Sequence, residues 1–320
     1  MHISDDMIDP ELRGLSKFYR TVHSHITPGK MKFFTNVLAN LTGIGTKSLN
    51  YDQHYIPRFD GTMLRICVYY PKTLQENVPG ILWLHGGGYA MSIPKLEVPM
   101  LKKLIDASGA VVVVPEYRLS TEAPYPAALN DSYLALEWLA SHGHEYGMRD
   151  DQIMVGGSSA GGGLTAALTL YARDRGEINI AFQMPLYPML DDRLTESSTD
   201  NDAPFWNTES NELGWQLYLG ARYGTDDIPP YAVPARADDF ANLPPTVTFV
   251  GSVEPFRDET ISYIKRLKES GVETFFNEYQ GAFHAFDLFK SNAQISKRAT
   301  GFLLETFNYA VKNYFAEQPK

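Results

Sequence analysis

Residues 152–173 read QIMVGGSSAGGGLTAALTLYAR, and the centre of that run, Gly157-Ser158-Ser159-Ala160-Gly161, decides the fold. Gln152 to Val155 is a short apolar run of strand type, and Gly161 to Arg173 is a helix candidate. Between them stands G-x-S-x-G in a strand–turn–helix setting, where a sharp bend thrusts one serine into the open. The glycines permit backbone angles closed to other residues. Register separates the two serines: a motif centred on Ser158 would need glycine where Ala160 stands, so Ser159 is the exposed one. A phosphate-binding turn is the competing reading. It would need a Gly-Lys-Ser/Thr ending or an early G-x-G after the first strand, and neither is present.

Upstream, Leu84-His85-Gly86-Gly87-Gly88-Tyr89 follows a second strand candidate, Gly80–Leu84. Three glycines after a strand expose backbone N–H groups to an approaching ligand, and beside an activated serine they would suit a developing oxyanion. A serine hydroxyl is a poor nucleophile until a base takes its proton. Of the eight histidines, His85 belongs to the glycine loop, His54 to a hairpin, and His2, His23, His25, His142 and His144 to polar or terminal stretches. His284, in Gln280-Gly-Ala-Phe-His-Ala-Phe286, remains, and it lies downstream of Ser159 in the order Ser…acid…His. The pairs His23-x-His25 and His142-x-His144 lack a third ligand and read as solvated loop residues. The acid should end a strand between the serine and the histidine. Glu254 directly follows the Thr246–Val250 strand candidate and is favoured. Asp258, four residues on, is the alternative, although carboxylates in a helix's first turn are ordinary caps.

Working outward, short apolar runs alternate with helical stretches. Strand candidates are Gly80–Leu84, Ala110–Val114, Gln152–Val155, Ile180–Leu186, Thr246–Val250 and Glu273–Tyr279. Helix candidates are Val98–Ala107, Ala127–Ser141, Gly161–Arg173, Asp258–Glu269 and Ile295–Phe315. This pattern predicts an α/β fold with a mostly parallel sheet covered on both faces. His54–Arg58 and Met63–Tyr70 flank Asp60-Gly61, which predicts an antiparallel hairpin at one end of the sheet. Before it, residues 1–50 read as helical pieces broken at Pro28-Gly29 and around Gly43 and Gly45. Leu12, Leu15, Phe18, Tyr19 and Val22 mark one apolar helix face. Residues 191–225 insert a polar loop and a short helix into the alternation. With Phe205, Trp206 and Trp215 they read as a lid or cap.

The chain has 320 residues, 28 basic against 38 acidic, for a net charge of −10. An acidic surface argues against nucleic acid or an anionic membrane as main partner. No apolar run reaches the length of a membrane span and no signal peptide opens the chain, so a cytoplasmic location is expected. The single cysteine, Cys67, lies in an apolar run and reads as a small buried hydrophobe.

Together these residues resemble the hormone-sensitive-lipase family of α/β-hydrolase esterases. The resemblance rests on His85-Gly86-Gly87-Gly88, the block Tyr117-Arg-Leu-Ser-Thr-Glu-Ala-Pro-Tyr-Pro-Ala-Ala128, the elbow at Ser159, Glu254-Pro-Phe-Arg-Asp258 and Phe283-His-Ala-Phe286. It implies an α/β-hydrolase fold, with N-terminal cap helices over 1–50 and a catalytic domain over 51–320 that carries a cap insertion at about 191–225. It also implies a catalytic triad of Ser159, Glu254 and His284, and oxyanion donors on the amides of Gly87, Gly88 and Ala160. The expected reaction is hydrolysis of small carboxylic esters with short-to-medium acyl groups, without metal or cofactor. Homodimers are common among such proteins. An amidase or lactonase with the same triad is the nearer alternative, and a non-catalytic ligand-binding protein on the same fold the more distant one. Tyr89, Met91, Phe205, Trp206, Trp215, Phe283 and Phe286 are candidate pocket lining. Three departures stand out: Ser158 where the family has Asp, Glu254 where it has Asp, and no glycine in Tyr89-Ala-Met-Ser92.

Overall fold

The computed structural model describes residues 2–22, 27–31 and 48–319. Strands β1 (Asn50–Pro57), β2 (Met63–Tyr70), β3 (Val78–Leu84), β4 (Val111–Pro115), β5 (Met148–Ser158), β6 (Phe182–Leu186), β7 (Thr246–Gly251) and β8 (Thr274–Tyr279) form one sheet. Their order is β1-β2-β4-β3-β5-β6-β7-β8. The hairpin joins antiparallel at one end, with Cys67 opposite Val114, and every pairing from β4 onward is parallel.

The pleat explains why these strands read as unbroken apolar runs. Ile81 and Trp83 of β3, with Val112 and Val114 of β4, enter one core. Leu82, Leu84, Val111 and Val113 enter another on the opposite face. Helices cover both faces of β3 and β4, so every residue of these two central strands is buried and neither strand alternates to polar. Helix α1 (Arg13–Val22) precedes the sheet; α2 (Pro94–Ser108) covers the first core, and α3 (Ala127–His142) and α4 (Ala160–Arg175) the second. α5 (Thr208–Leu219) lies between β6 and β7. α6 (Arg257–Glu269) packs Tyr263, Ile264 and Leu267 into a third cluster. α7 (Phe286–Phe289) is a single turn, and α8 (Gln294–Asn313) joins α2 over the first core. Cys67 is buried there as a free thiol.

Some boundaries differ from the sequence reading for physical reasons. β5 continues three residues past Val155, because Gly156 and Gly157 stay paired with Trp83 and Leu84 of β3. A side chain at Gly156 would meet the Trp83 ring at 2.8 Å, so glycine here serves packing within the strand. α2 begins at Pro94, four residues before Val98, since proline at a first helical position is already set to the helical φ. Phe18 does not share the buried stripe of α1: it is 60% exposed, while Leu12 is fully buried. At 100° per residue Phe18 falls well to one side of the line through Leu12, Ser16 and Tyr19. Pro28 opens a helical turn over 28–31. The expected breaks at Gly43 and Gly45 and the His23/His25 pair lie outside the described residues. His142 stacks on Trp138, with ring centroids 4.9 Å apart. Among the described residues no helix is long and apolar enough to cross a membrane.

The consequence of this topology is positional. The loops after β3, β5, β7 and β8 all leave the same edge of the parallel sheet, where open α/β folds bind their ligands.

Candidate active site

Ser159 occupies the bend between β5 and α4 at φ 57° and ψ −121°, a conformation unusual for a residue with a side chain. Hydrogen bonds hold it there: its N–H donates to Leu186 O at 2.9 Å, and its carbonyl accepts from Gly163 N at 2.9 Å and Met189 N at 3.0 Å. The flanking glycines are steric necessities. A Cβ on Gly157 would lie 2.4 Å from Leu84 O, and one on Gly161 only 1.9 Å from that same oxygen. The G-x-S-x-G pattern therefore records how closely the bend abuts the end of β3.

The loop after β8 brings His284 to the serine, with Nε2 2.8 Å from Ser159 Oγ. Its Nδ1 lies 2.5 Å from Glu254 Oε2, and Glu254 Oε1 accepts the Gly251 N–H at 2.7 Å. Glu254 is wholly buried and His284 is 1% exposed. The carboxylate can only accept, so Nδ1 carries the proton and Nε2 is left to accept from the serine hydroxyl. Phe256 meets the imidazole edge-on at 4.9 Å and Tyr187 at 5.1 Å, which fixes its plane. Asp258 faces elsewhere. It accepts from Ser197 N at 2.8 Å and pairs with Arg257 at 2.8 Å, in the first turn of α6. The structure thus brings Ser159, His284 and Glu254 together and leaves Asp258 out.

Beside them the glycine loop is held peptide by peptide. Tyr117 Oη donates to His85 O at 2.7 Å, and His85 Nδ1 donates to Gly86 O at 2.8 Å. The Gly87 carbonyl accepts from Ala90 N at 3.1 Å and Met91 N at 2.9 Å. In a trans peptide the N–H points opposite to the C=O, so the Gly86 and Gly87 carbonyls aim the amides of Gly87 and Gly88. Those two amides and that of Ala160 have no hydrogen-bond partner among the described residues. His85 is buried against Tyr117, ring centroids 4.2 Å apart, and burial lowers its pKa to about 4. It is therefore a neutral imidazole that donates from Nδ1.

A cavity of about 170 Å³ opens onto Ser159 and His284. Of the candidate lining residues, Met91, Phe205 and Trp206 line it. Tyr19, Ile93, Leu96, Tyr187, Leu288 and Phe289 also line it, and the sequence reading did not single them out for this. Tyr89, Trp215, Phe283 and Phe286 do not. Tyr89 stacks on Tyr218 at 3.8 Å behind the glycine loop, with Trp215 5.8 Å away. Phe283 and Phe286 point into the core, because their neighbour His284 is the residue turned toward Ser159. A Cβ on Gly88 would lie 2.2 Å from the Trp206 ring, so the glycine leaves the space the indole occupies. Phe205 has φ 73° and stacks above His284 at 6.2 Å, touching Phe289 at 4.3 Å and Tyr19 at 5.4 Å. A larger open cleft of about 1020 Å³ lies by Asp6, Glu196, Asp258 and Glu278, and neither Ser159 nor His284 lines it.

A nucleophile elbow, a histidine–carboxylate pair and free amides at the C-terminal edge of a mostly parallel sheet define an α/β-hydrolase-type serine hydrolase. Residues 81–288 match the family described as alpha/beta hydrolase fold (Abhydrolase_3), and the chain belongs to that family, whose hormone-sensitive-lipase-like esterases it resembles in sequence. Esterase LipI of Mycobacterium tuberculosis is 33% identical over 223 residues, 68% of this chain and 69% of that protein. Carboxylesterase NlhH of the same organism is 31% identical over 250 residues, 76% of this chain and 77% of its own. Among solved structures, a bacterial heroin esterase superposes with a TM-score of 0.87 at 32% identity, covering 97% of this chain and 99% of that one. The protein is a carboxylic ester hydrolase of the serine type.

Proposed function

We propose that the protein hydrolyses small carboxylic esters of short-to-medium acyl length through an acyl-enzyme on Ser159. The observation that carries this reading is the unbroken hydrogen-bond chain Ser159–His284–Glu254 beside three unpaired amides. His284 Nε2 takes the hydroxyl proton as Ser159 Oγ attacks the ester carbonyl carbon. The carbonyl oxygen becomes an oxyanion held by the Gly87, Gly88 and Ala160 amides. His284 then returns the proton to the leaving alcohol as the ester C–O bond breaks. Water repeats the sequence, releasing the acid and restoring Ser159. Glu254 holds Nδ1–H and stabilises the imidazolium.

The size of the acyl group follows from the cavity. An apolar cavity of about 150 Å³ accommodates benzene, so about 170 Å³ suits an acyl group of about six carbons or fewer. α1 and residues 191–225 serve together as a cap in this reading, which is supported by Tyr19 from the first and Phe205 and Trp206 from the second lining the same space. The test is hydrolysis of a nitrophenyl ester series from acetate to dodecanoate, with an anilide alongside. Activity should peak at or below hexanoate and vanish in Ser159→Ala. Full activity in that variant would end the reading.

A further inference from the structure

One buried carboxylate outside the Ser159–His284–Glu254 chain joins the two segments that carry the free amides. Glu97, in the first turn of α2, is 1% exposed. Its Oε1 accepts from the Gly86 amide at 2.8 Å and from the Ser158 hydroxyl at 2.5 Å. Its Oε2 accepts from the Trp83 indole N–H. Gly86 precedes Gly87 and Gly88, and Ser158 precedes Ser159 and Ala160. The contact is tight, for a Cβ on Gly86 would stand 3.0 Å from both Ser158 O and Oγ and 3.3 Å from Glu97 Oε1.

We propose that Glu97 is a positioning residue for the oxyanion pocket, setting the separation of the Gly87 and Gly88 amides from that of Ala160 through its bonds to Gly86 and Ser158. This rests on the reading of those amides as oxyanion donors. The other hydrogen bonds described for the glycine loop, from Tyr117, His85, Ala90 and Met91, orient its peptides within the β3 side of the site. Glu97 is the side chain that crosses to the β5 side. With Gly86 N bonded to Glu97 and His85 O bonded to Tyr117, the peptide between them is fixed at both ends. Burial pushes the carboxyl up to about 7 against the opposing pull of Ser158, Gly86 and Trp83, and the nearby Asp287 carboxyl adds to the rise. Misplacing a reacting group by about 1 Å lowers a rate by about 100-fold, so the spacing of these donors is a kinetic quantity.

The test compares Glu97→Gln and Ser158→Ala with wild type by kcat, KM and melting temperature on nitrophenyl butyrate. A fourth readout is the affinity of a trifluoromethyl ketone, whose carbonyl carbon bonds to Ser159 Oγ and places an oxyanion among the amides. The glutamine of Glu97→Gln has a single acceptor oxygen, so one of the Gly86 and Trp83 donors loses its partner; Ser158→Ala removes only the elbow link. The expected result is a kcat lower by about 10- to 100-fold, KM within about threefold, and analogue affinity falling with kcat/KM. If Glu97→Gln fails to fold, Ser158→Ala, which deletes one hydroxyl, decides. Folded variants with wild-type kcat, or with reduced kcat but undiminished analogue affinity, overturn the proposal. Ser159→Ala in the same series separates the two failures. An active Ser159→Ala ends the functional reading, whereas an inactive one beside wild-type-like Glu97 and Ser158 variants ends only the role of Glu97.

Discussion

Replacing Glu254 by glutamine tests the histidine tautomer directly. The carboxylate has two acceptor oxygens, one taking His284 Nδ1–H at 2.5 Å and the other Gly251 N–H at 2.7 Å. Glutamine keeps one acceptor and gains a donor. If its oxygen faces Gly251, its NH2 faces Nδ1, the ring proton moves to Nε2, and the imidazole can no longer accept from Ser159. If it flips, two N–H donors meet in a site with no exposed surface at Glu254. Flipping costs about 1–3 kcal/mol for the unsatisfied amide, so the first orientation, which leaves both donors bonded, prevails. The corresponding acid-to-amide change in chymotrypsin-type proteases lowers kcat about 10⁴-fold, and this geometry predicts a loss of about 10³- to 10⁴-fold, or about 4–5 kcal/mol. Asp258→Asn, altering a group bonded to Ser197 and Arg257, should leave kcat within about threefold. Single-turnover and steady-state hydrolysis of nitrophenyl acetate, corrected by active-site titration, measures both. Glu254→Gln retaining more than about a tenth of kcat, or Asp258→Asn being the disabled variant, would refute the reasoning.

Three further outcomes follow from the same geometry. Gly88→Ala places a Cβ 2.2 Å from Trp206 at φ 58°, so kcat should fall about 100-fold while the fold survives, as circular dichroism and hydrolysis assays would report. Trp206→Ala should move the preferred acyl length upward in the nitrophenyl series, because the indole is a wall of the cavity; an unchanged optimum would place the acyl group elsewhere. Folded His85 titrates at about 4 and the unfolded residue near 6.5, so as pH falls through that window only the unfolded chain takes up the proton. Stability is then lost between pH 6.5 and 4, on the order of 3 kcal/mol. His85→Asn lacks this titration, and denaturant melts at pH 7, 5.5 and 4 should show a shallower decline than wild type.

The legibility of this protein in its sequence divides along a physical line. Ser159 and the glycine loop announce themselves because a sharp turn and a close backbone approach demand glycine at fixed spacing. His284 and Glu254 follow from strand ends and chain order. Glu97 carried no such signal: it is one acid in a helix, and its meaning depends on Trp83, Gly86 and Ser158 arriving from β3 and β5. The pocket was partly legible for a related reason. Aromatic residues could be recognised as apolar, but no periodicity told Phe205, which faces His284, from Tyr89, which faces Tyr218. β5 outran its apolar stretch because backbone pairing with β3 continues through Gly156 and Gly157, which carry no apolar side chain to signal it.

Tyr19, Phe205, Trp206 and Phe289 enclose the cavity from three stretches of chain that lie outside the sheet. The groups that move protons and hold charge sit instead at strand ends. On the proposed reading, selectivity and chemistry are therefore carried by separate parts of one molecule. Changes in the peripheral aromatics can alter which ester is accepted while the bond-breaking apparatus stays untouched, so close kin of this chain are free to differ in diet before they differ in mechanism.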